Sequence, residues 1–332
     1  MTILVTGGAG YIGSVAVEML RGQRSSVVVL DDLVCGHREA LDEGMHFYQG
    51  KVGDSGLVAE IVRKHEIGAC VHFAACALVG ESIANPAKYF NNNTLETTTL
   101  LDTLMANGVK KVVFSSTCAT YGDPVRIPID EEHPQRPVNP YGWSKFMTER
   151  VLENYGSAYG LRYVSLRYFN AAGATTRHGE DHDPETHLIP NVLAVAMGRH
   201  PWLSIFGNDY PTPDGTCVRD YVHVTDLGAA HISALDYLEN DGPSISLNLG
   251  SGVGFSVMEV VETARETTGK PIETRIESRR TGDPARLVAD NQAAERTLGF
   301  TPQHSDLETI IGSAWEWTQK NPTGYRRDTI ET

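Results

Sequence analysis

The stretch Thr6-Gly7-Gly8-Ala9-Gly10-Tyr11-Ile12-Gly13 follows a short apolar run, Ile3–Thr6, and opens a segment with helical spacing, Tyr11–Arg21. In such a strand–turn–helix unit, the first glycine allows a tight turn and the second lets the backbone approach a diphosphate. The third lets the helix pack on the strand. N–H groups at the helix start favour the anion. The stretch therefore predicts dinucleotide binding at Gly7, Gly10, Tyr11, Ile12 and Gly13.

Two carboxylates follow the second apolar run, Val27–Leu30. Asp31 stands 18 residues beyond Gly13, where a carboxylate accepts hydrogen bonds from the ribose hydroxyls and repels a 2′-phosphate. Asp32 adds a second negative charge. The pair predicts NAD rather than NADP as the cofactor.

Strands and helices alternate through the first half of the chain. Further strands are expected at Phe47–Tyr48, Ala69–Phe73, Lys111–Ser115 and Tyr163–Arg167, and helices near Leu57–Lys64, Lys88–Met105 and Tyr141–Tyr159. This alternation predicts the α/β class, a Rossmann-like doubly wound parallel sheet, with a smaller C-terminal substrate-binding α/β domain. We expect the sheet domain at residues 1–170 with a return segment near 218–242. The second domain then takes 171–217 and 243–332, with a long loop at 173–190.

Composition excludes several function classes. Lys and Arg total 28 against 42 Asp and Glu, a net charge of −14, which argues against a protein that coats nucleic acid. The apolar stretches are strand-length, so no membrane span is expected. Residues 1–5 run straight into a strand, which leaves no room for a signal peptide. Five scattered cysteines without a CxxC pair indicate neither a disulfide framework nor a zinc knuckle. We expect a cytoplasmic protein.

A tyrosine and a lysine at helical spacing are the candidate catalytic pair. Tyr141 and Lys145 are four residues apart and share a helix face. A nearby ammonium and a cationic nicotinamide favour the phenolate and bring its pKa toward the useful range for a base. Thr117 closes the fifth strand, at the edge of the sheet where ligands bind. It can therefore pass a proton between a substrate and Tyr141.

These residues resemble the extended short-chain dehydrogenase/reductases and, along nearly the whole chain, the family of UDP-glucose 4-epimerases. The blocks that carry the closer resemblance are His72-Phe73-Ala74-Ala75, Val79-Gly80-Glu81-Ser82, Leu166-Arg167-Tyr168-Phe169-Asn170, residues 205–210, residues 218–223, and Arg279-Arg280 with Gly282-Asp283. In that family, NAD stays bound while a UDP-sugar is oxidised at carbon 4, turns, and is reduced on its other face.

The resemblance implies roles for individual residues. Tyr141 matches the base, Thr117 the proton relay, and Lys145 the residue that holds the nicotinamide ribose. The resemblance places further residues at the cofactor: Asp54, Phe73, Ala74, Ala75, Asn93, Ser115 and Tyr168. It places at the UDP-sugar Ser116, Phe169, Asn170, His187, Leu188, Ser204, Phe206, Arg219, Tyr221, Arg280, Asp283 and Leu287. It also implies a homodimer through helices within 88–106 and 141–159.

Four positions depart from residues common in the family: Val15, Asp32, Ala77 and Cys118. Ala77 stands where some members carry a lysine near the cofactor phosphates, so one expected cation is missing. None of the four removes the catalytic Tyr, Lys or Thr.

Several alternatives remain open or are disfavoured. A nucleotide-sugar 4,6-dehydratase needs an Asp-Glu pair after the strand-end Thr, where this chain has Cys118 and Ala119. A non-catalytic NAD-binding regulator tends to lose the Tyr or the Lys. Epimerases of N-acetylglucosamine, pentose or glucuronate substrates stay possible. The resemblance places Leu287 at a gate beside the 2-substituent of the sugar, and the intermediate size of leucine implies weak turnover of N-acetylated sugars. The His-, Asp- and Glu-rich residues 178–187 are expected to form a substrate-side loop without a metal.

Overall fold

The computed structural model describes residues 1–23, 25–280 and 283–325. Among them, seven parallel strands form the main sheet in the order β10-β6-β5-β4-β1-β2-β3. These strands are β1 Thr2–Thr6, β2 Ser26–Asp31, β3 His46–Gln49, β4 Ile67–His72, β5 Lys111–Thr117, β6 Arg162–Tyr168 and β10 Ile245–Leu249. The predicted fold class is confirmed.

Both faces of the sheet are buried, because helices cover them. Ile3 and Val5 of β1 face one hydrophobic cluster, and Leu4 between them faces the other. This alternation across a parallel sheet is why its strands are almost entirely apolar. The covering helices are α1 Tyr11–Gly22 and α8 Val224–Glu239 on the first face, and α2 Ser55–His65, α5 Thr97–Ala106 and α6 Pro140–Tyr159 on the second.

A second, smaller lobe has its own hydrophobic cluster, which includes Val192, Ile205, Val260 and Ile310. Its strands are β7 Asn170–Ala172, β8 Leu203–Phe206, β9 Val218–His223, β11 Gly254–Ser256, β12 Thr274–Glu277 and β13 Arg286–Leu287. β9 pairs with β7, β11 and β13, and β8 pairs with β12. Helices α7 Leu188–Ala196, α9 Val257–Thr268 and α11 Leu307–Lys320 contribute to this cluster. Helices α3 Val79–Ala84, α4 Pro86–Tyr89 and α10 Gln292–Leu298 lie outside it.

The domain boundaries stay a prediction, and the topology adds one detail to them. β10, residues 245–249, pairs with β6 in the main sheet, although it falls within the range 243–332 assigned above to the second domain. The segment that returns to the sheet therefore extends to residue 249. Gly282, in the resemblance's last block, lies outside the described residues.

The helix predicted at Lys88–Met105 differs in detail from the structure. The chain runs through the end of α4, a π-helical segment at Phe90–Glu96, and then α5. Such π-helical turns are frequent at functional sites. Here the widened turn brings Asn93 to the loop after β4, where its amide bonds the backbone N–H and C=O of Cys76 at 2.8 and 2.9 Å. Among the described residues, no helix combines the length and apolarity needed to cross a bilayer.

Candidate active site

The glycine turn has the shape of a diphosphate cradle. Gly7 adopts φ +71°, and a Cβ there meets the backbone nitrogen of Ala74 at 2.4 Å. A Cβ on Gly13 meets the carbonyl oxygen of Gly7 at 2.1 Å. Helix α1 starts after Gly10, which offers no side chain to cap it. The turn therefore admits only glycine at two positions and leaves the helix start open to an anion.

Asp31 is fixed at the end of β2. One carboxylate oxygen accepts the backbone N–H of Ala9 and the other that of Leu33, both at 2.9 Å. Burial raises the pKa of Asp31, and the two backbone hydrogen bonds oppose that rise. An ionised carboxylate retains lone pairs beyond these bonds, which ribose hydroxyls can use. The residues present fit NAD.

A single cavity of about 1680 Å³ joins the glycine turn to the second lobe. It contacts most of the predicted site residues, and three do not line it: Asp54, Asn93 and Ser116. Asp54 caps helix α2 through the N–H of Leu57. Asn93 holds Cys76, and the Ser116 hydroxyl donates to Glu149 at 2.6 Å. Of the three, Asn93 fixes the backbone of a residue that lines the cavity, whereas Asp54 is exposed and Ser116 bonds a buried side chain.

Some residues on the cavity wall were missed by the sequence analysis. Lys88 lines the cavity and its ammonium contacts Glu81 at 2.6 Å. It supplies a cation on the side of the cavity where Ala77 supplies none. Glu180 and His182 also line the cavity. The NPAKY stretch at 85–89, with its Asn85 cap and Pro86, marks a helix start, but no sequence signal points Lys88 toward the cavity.

The candidate catalytic residues meet where β5 ends and α6 begins. Asn139 caps α6 by accepting the N–H of Gly142 at 2.9 Å, which places Tyr141 in the first turn and Lys145 one turn later. The Thr117 hydroxyl accepts the N–H of Ala119 at 3.1 Å and lies near enough to the Tyr141 phenol to lower its pKa. The Lys145 ammonium donates to the carbonyl oxygen of Ser115 at 2.8 Å. Both side chains are buried at the cavity wall.

Burial dominates the proton affinities of this pair. It raises the pKa of Tyr141 well above its usual value, and the nearby Thr117 hydroxyl only partly opposes the rise. It lowers the pKa of Lys145 to about 7. The chain's own residues therefore do not bring the Tyr141 pKa down as the sequence analysis expected, because the loss of water dominates and Lys145 is not among the groups that lower this pKa. When bound, the oxidised nicotinamide supplies the positive charge that favours the phenolate.

The second lobe contributes two cationic side chains. Arg219, on β9, forms an ion pair with Asp283 and is largely buried. The guanidinium of Arg280 lies 4.0 Å from the ring centroid of Phe206. Arginines of this kind bind phosphate through paired N–H groups. They line the same cavity as the glycine turn, from the side of the second lobe.

Neutral residues complete this side of the cavity. The Asn170 amide donates to the carbonyl oxygen of Asp220 at 2.9 Å. Leu287 packs against a small cluster that includes Cys118 and Phe169. His187, Leu188, Ser204 and Tyr221 also line the cavity. The structure thus brings together the residues predicted at the substrate, except Ser116.

The model of the NAD dependent epimerase/dehydratase family matches residues 3–250. The chain belongs to this family. It is 52% identical over 327 residues to a UDP-glucose 4-epimerase of Halalkalibacterium halodurans, covering 98% of both chains. It is 50% identical over 330 residues to one of Streptococcus mutans, covering 98% of this chain and 99% of that one. The resemblance stated from the sequence is confirmed.

Solved structures of UDP-glucose 4-epimerases are similar to this chain over nearly its whole length. The UDP-glucose 4-epimerase of Brucella ovis in complex with NAD has a TM-score of 0.92 at 47% identity, covering 95% of this chain and 97% of that one. The Bifidobacterium longum enzyme in complex with NAD+ and UDP also has a TM-score of 0.92, at 36% identity, covering 98% and 100%. The cofactor predicted for this family member, NAD, is supported by the family and by these structures.

Proposed function

We propose that the chain catalyses NAD-dependent epimerisation at carbon 4 of a UDP-hexose, interconverting UDP-glucose and UDP-galactose. The observation that carries the proposal is one continuous cavity. The glycine turn, Asp31, Thr117 and Tyr141 line it from the domain of the main sheet, and Arg219 and Arg280 line it from the second lobe. A nucleotide cofactor and a nucleotide-sugar can therefore meet at a buried proton acceptor.

Each protein group has a task that its chemistry can perform. Tyr141 takes the proton of the sugar 4-hydroxyl, directly or through Thr117, and later returns it. Lys145 holds the cofactor's ribose and keeps Tyr141 oriented. Arg219, Arg280 and Asn170 hold the UDP group. When bound, NAD accepts the hydride from carbon 4 and gives it back.

Inversion requires that the sugar present both faces to the same site. The diphosphate link is the point about which the oxidised sugar turns, so the binding energy belongs at UDP rather than at the hexose. Arg219 and Arg280 of the second lobe can bind this diphosphate. Leu287, Cys118 and Phe169 offer the hexose an apolar surface that does not clamp one orientation.

The dehydratase alternative lacks its acid and base. Burial raises the pKa of the Cys118 thiol to about 12, so this thiol stays protonated and transfers no proton near neutral pH. Ala119 has no ionisable group. The residues after Thr117 therefore favour reversible oxidation without elimination of water.

The decisive experiment follows UDP-glucose by NMR in the presence of the purified protein. We expect UDP-galactose to appear without added cofactor, and denaturation of the protein to release NAD. Release of NADP instead contradicts the role of Asp31. Release of NAD without any change of UDP-glucose, or of its pentose, glucuronate and N-acetyl analogues, contradicts the epimerase assignment.

We also propose that the protein forms a homodimer. We propose further that it acts in the cytoplasm, in galactose metabolism. An exposed apolar stripe supports the dimer: Trp143 and Met147 lie one turn apart on α6, each 41% exposed, and Leu95 lies on the neighbouring π-helical segment. Light scattering after size exclusion is expected to give twice the chain mass, and Trp143→Glu is expected to give a monomer. Val125→Glu is the matched control, because Val125 is exposed outside both helices. A monomeric wild type contradicts the dimer.

A further inference from the structure

Three metal-binding side chains converge on the cavity wall, where the sequence analysis expected a loop without a metal. Glu180, His182 and His187 offer a carboxylate oxygen and two ring nitrogens that all lie within 4.8 Å of one another. We propose that these three residues bind one divalent transition-metal ion, with zinc the best match. Glu180 and His182 have no task in the reaction described above, whereas His187 is also one of the residues that the resemblance places at the UDP-sugar.

The donor set defines the class of ion. Two imidazoles and one carboxylate suit Zn²⁺ and its transition-metal neighbours, whereas Mg²⁺ and Ca²⁺ prefer oxygen ligands alone. Zinc takes these ligands at about 2.0–2.2 Å in a tetrahedral arrangement, which puts neighbouring ligand atoms about 3.3 Å apart. The Glu180–His182 contact is closer than this spacing, and all three ligand atoms lie within 4.8 Å of one another, so the side chains must shift when an ion binds. A fourth ligand position remains for water.

A carboxylate outside the triad orients one of the ligands. The Nδ1 atom of His187 contacts a Glu185 carboxylate oxygen at 2.7 Å. This leaves Nε2 of His187 for the ion and reproduces the carboxylate–histidine–metal arrangement that is usual in zinc proteins. His182 Nδ1 already contacts the Glu180 carboxylate. A metal ion can replace the proton that these two groups share.

The backbone that carries the ligands is held in place from both sides. Gly179 and Asp181, which flank Glu180, both bond Tyr325: the Gly179 N–H donates to the phenol oxygen at 3.1 Å, and the Asp181 carboxylate accepts the Tyr325 N–H at 2.8 Å. His187 directly precedes helix α7. Ligands on fixed supports lose little freedom when an ion binds, which favours affinity.

The local charge also favours a cation. Residues 180–187 include the carboxylates of Glu180, Asp181, Asp183 and Glu185, and this segment contains no Lys or Arg. Arg177, the nearest arginine in sequence, pairs with Glu18 and Asp42. A bound ion would tie the loop to the start of α7. It would thereby fix Leu188, one of the residues predicted at UDP.

The test uses the full chain with its NAD, treated with a chelator and then titrated with Zn²⁺ by calorimetry. We expect one Zn²⁺ per chain, loss of this binding in His182→Asn and Glu180→Gln, and roughly 10–100-fold weaker binding in Glu185→Gln, which removes an orienting carboxylate only. His46→Asn is the matched control. His46 lies beside His65, with ring centroids 4.7 Å apart, in a histidine pair outside the cavity.

Co²⁺ provides a second readout that needs no variant. A four-coordinate His₂Glu site gives intense visible absorption, which Co²⁺ bound only to surface groups or to the NAD diphosphate lacks. The proposal is overturned if wild-type protein shows neither that absorption nor stoichiometric Zn²⁺ binding. It is also overturned if folded His182→Asn or Glu180→Gln protein binds Zn²⁺ like the wild type, or if His46→Asn removes the binding.

Discussion

The two sides of the cavity are built in different ways. The cofactor wall, formed by Gly7, Gly13, Asp31 and Lys145, is held by the backbone: Asp31 and Lys145 bond main-chain groups, and the glycines admit no side chain. The substrate wall, formed by Arg219, Arg280, Asp283 and Leu287, is held mainly by contacts between side chains, with one main-chain hydrogen bond from Arg219 to the carbonyl oxygen of Val218.

This difference follows from what each wall has to do. A cofactor that stays bound through the cycle is served by a rigid surface, which keeps reacting atoms in position. A substrate that must enter, turn and leave is served by long side chains that can exchange one partner for another. The Arg219–Asp283 pair can open toward a diphosphate, whereas the Gly7–Gly13 contact cannot adapt.

The largest effect is expected when a methyl group is added to a glycine of the cofactor wall. Gly13→Ala places a Cβ 2.1 Å from the carbonyl oxygen of Gly7, so the turn must open and the protein is expected to lose both NAD and turnover. Gly22→Ala is the matched control at the end of the same helix, where nothing lies within 4 Å. Nucleotide content after denaturation checks both variants. Normal NAD content in Gly13→Ala would show that the turn is not the diphosphate cradle.

Removal of the proton acceptor comes next. Tyr141→Phe is expected to lower kcat by roughly 10²–10⁴-fold, as for the loss of a general base, with NAD content unchanged. Thr117→Val is expected to cost less. Tyr89→Phe is the control: its ring lies 6.3 Å from that of Tyr141, but its hydroxyl bonds Leu78 and Glu81. Near-normal kcat in Tyr141→Phe would exclude this residue as the base.

On the substrate wall, loss of one guanidinium group should weaken the binding of the UDP group. Arg219→Lys keeps the charge but removes the paired N–H groups. A hydrogen bond to a charged group contributes about 1.5–3 kcal/mol, so KM for UDP-glucose is expected to rise roughly tenfold or more, with a smaller change in kcat. Arg279→Lys is the control, because Arg279 pairs with Asp209 outside the cavity. Equal KM values in the two variants would contradict the anchoring role.

A size change at the same wall is expected to alter substrate breadth. Leu287 predicts weak turnover of UDP-N-acetylglucosamine beside the main UDP-glucose reaction. Leu287→Tyr fills space beside the 2-substituent of the sugar, and steric differences of this kind change kcat/KM by roughly 10-fold or more. The kcat/KM ratio of the two substrates, measured before and after the substitution, is the readout. An unchanged ratio would mean that Leu287 does not contact the sugar.

The pH dependence of stability tests the buried support of the cofactor wall. His72 bonds the hydroxyls of Thr6 and Thr97 at 2.6 and 2.9 Å, and burial lowers its pKa to about 3. Between pH 6.5 and 3 the unfolded chain binds a proton at this residue that the folded chain does not. Stability is therefore lost as pH falls below 6.5, by about 1.4 kcal/mol per pH unit. Unfolding of His72→Gln, measured at several pH values, is expected to show a slope smaller by that amount.

Much of the cofactor wall could be predicted because its signals are local. The glycine spacing, the acid after β2 and the Tyr–Lys spacing each lie within one turn or one helix. The position of Asn93 depends on a π-helical turn, for which periodicity gives no signal. The pKa of Tyr141 depends on burial, which the neighbouring residues in sequence do not reveal. The Glu180–His182–His187 cluster depends on the path of a loop.

The position of β10 has a consequence for how the molecule unfolds. The chain leaves the main sheet after β6, builds part of the second lobe, and returns to add β10 beside β6. Unfolding of the second lobe alone would pull on both ends of this excursion and expose the edge of β6. Heating is therefore expected to melt both lobes in one cooperative transition, and a chain cut at residue 170 would lack the last strand of its sheet.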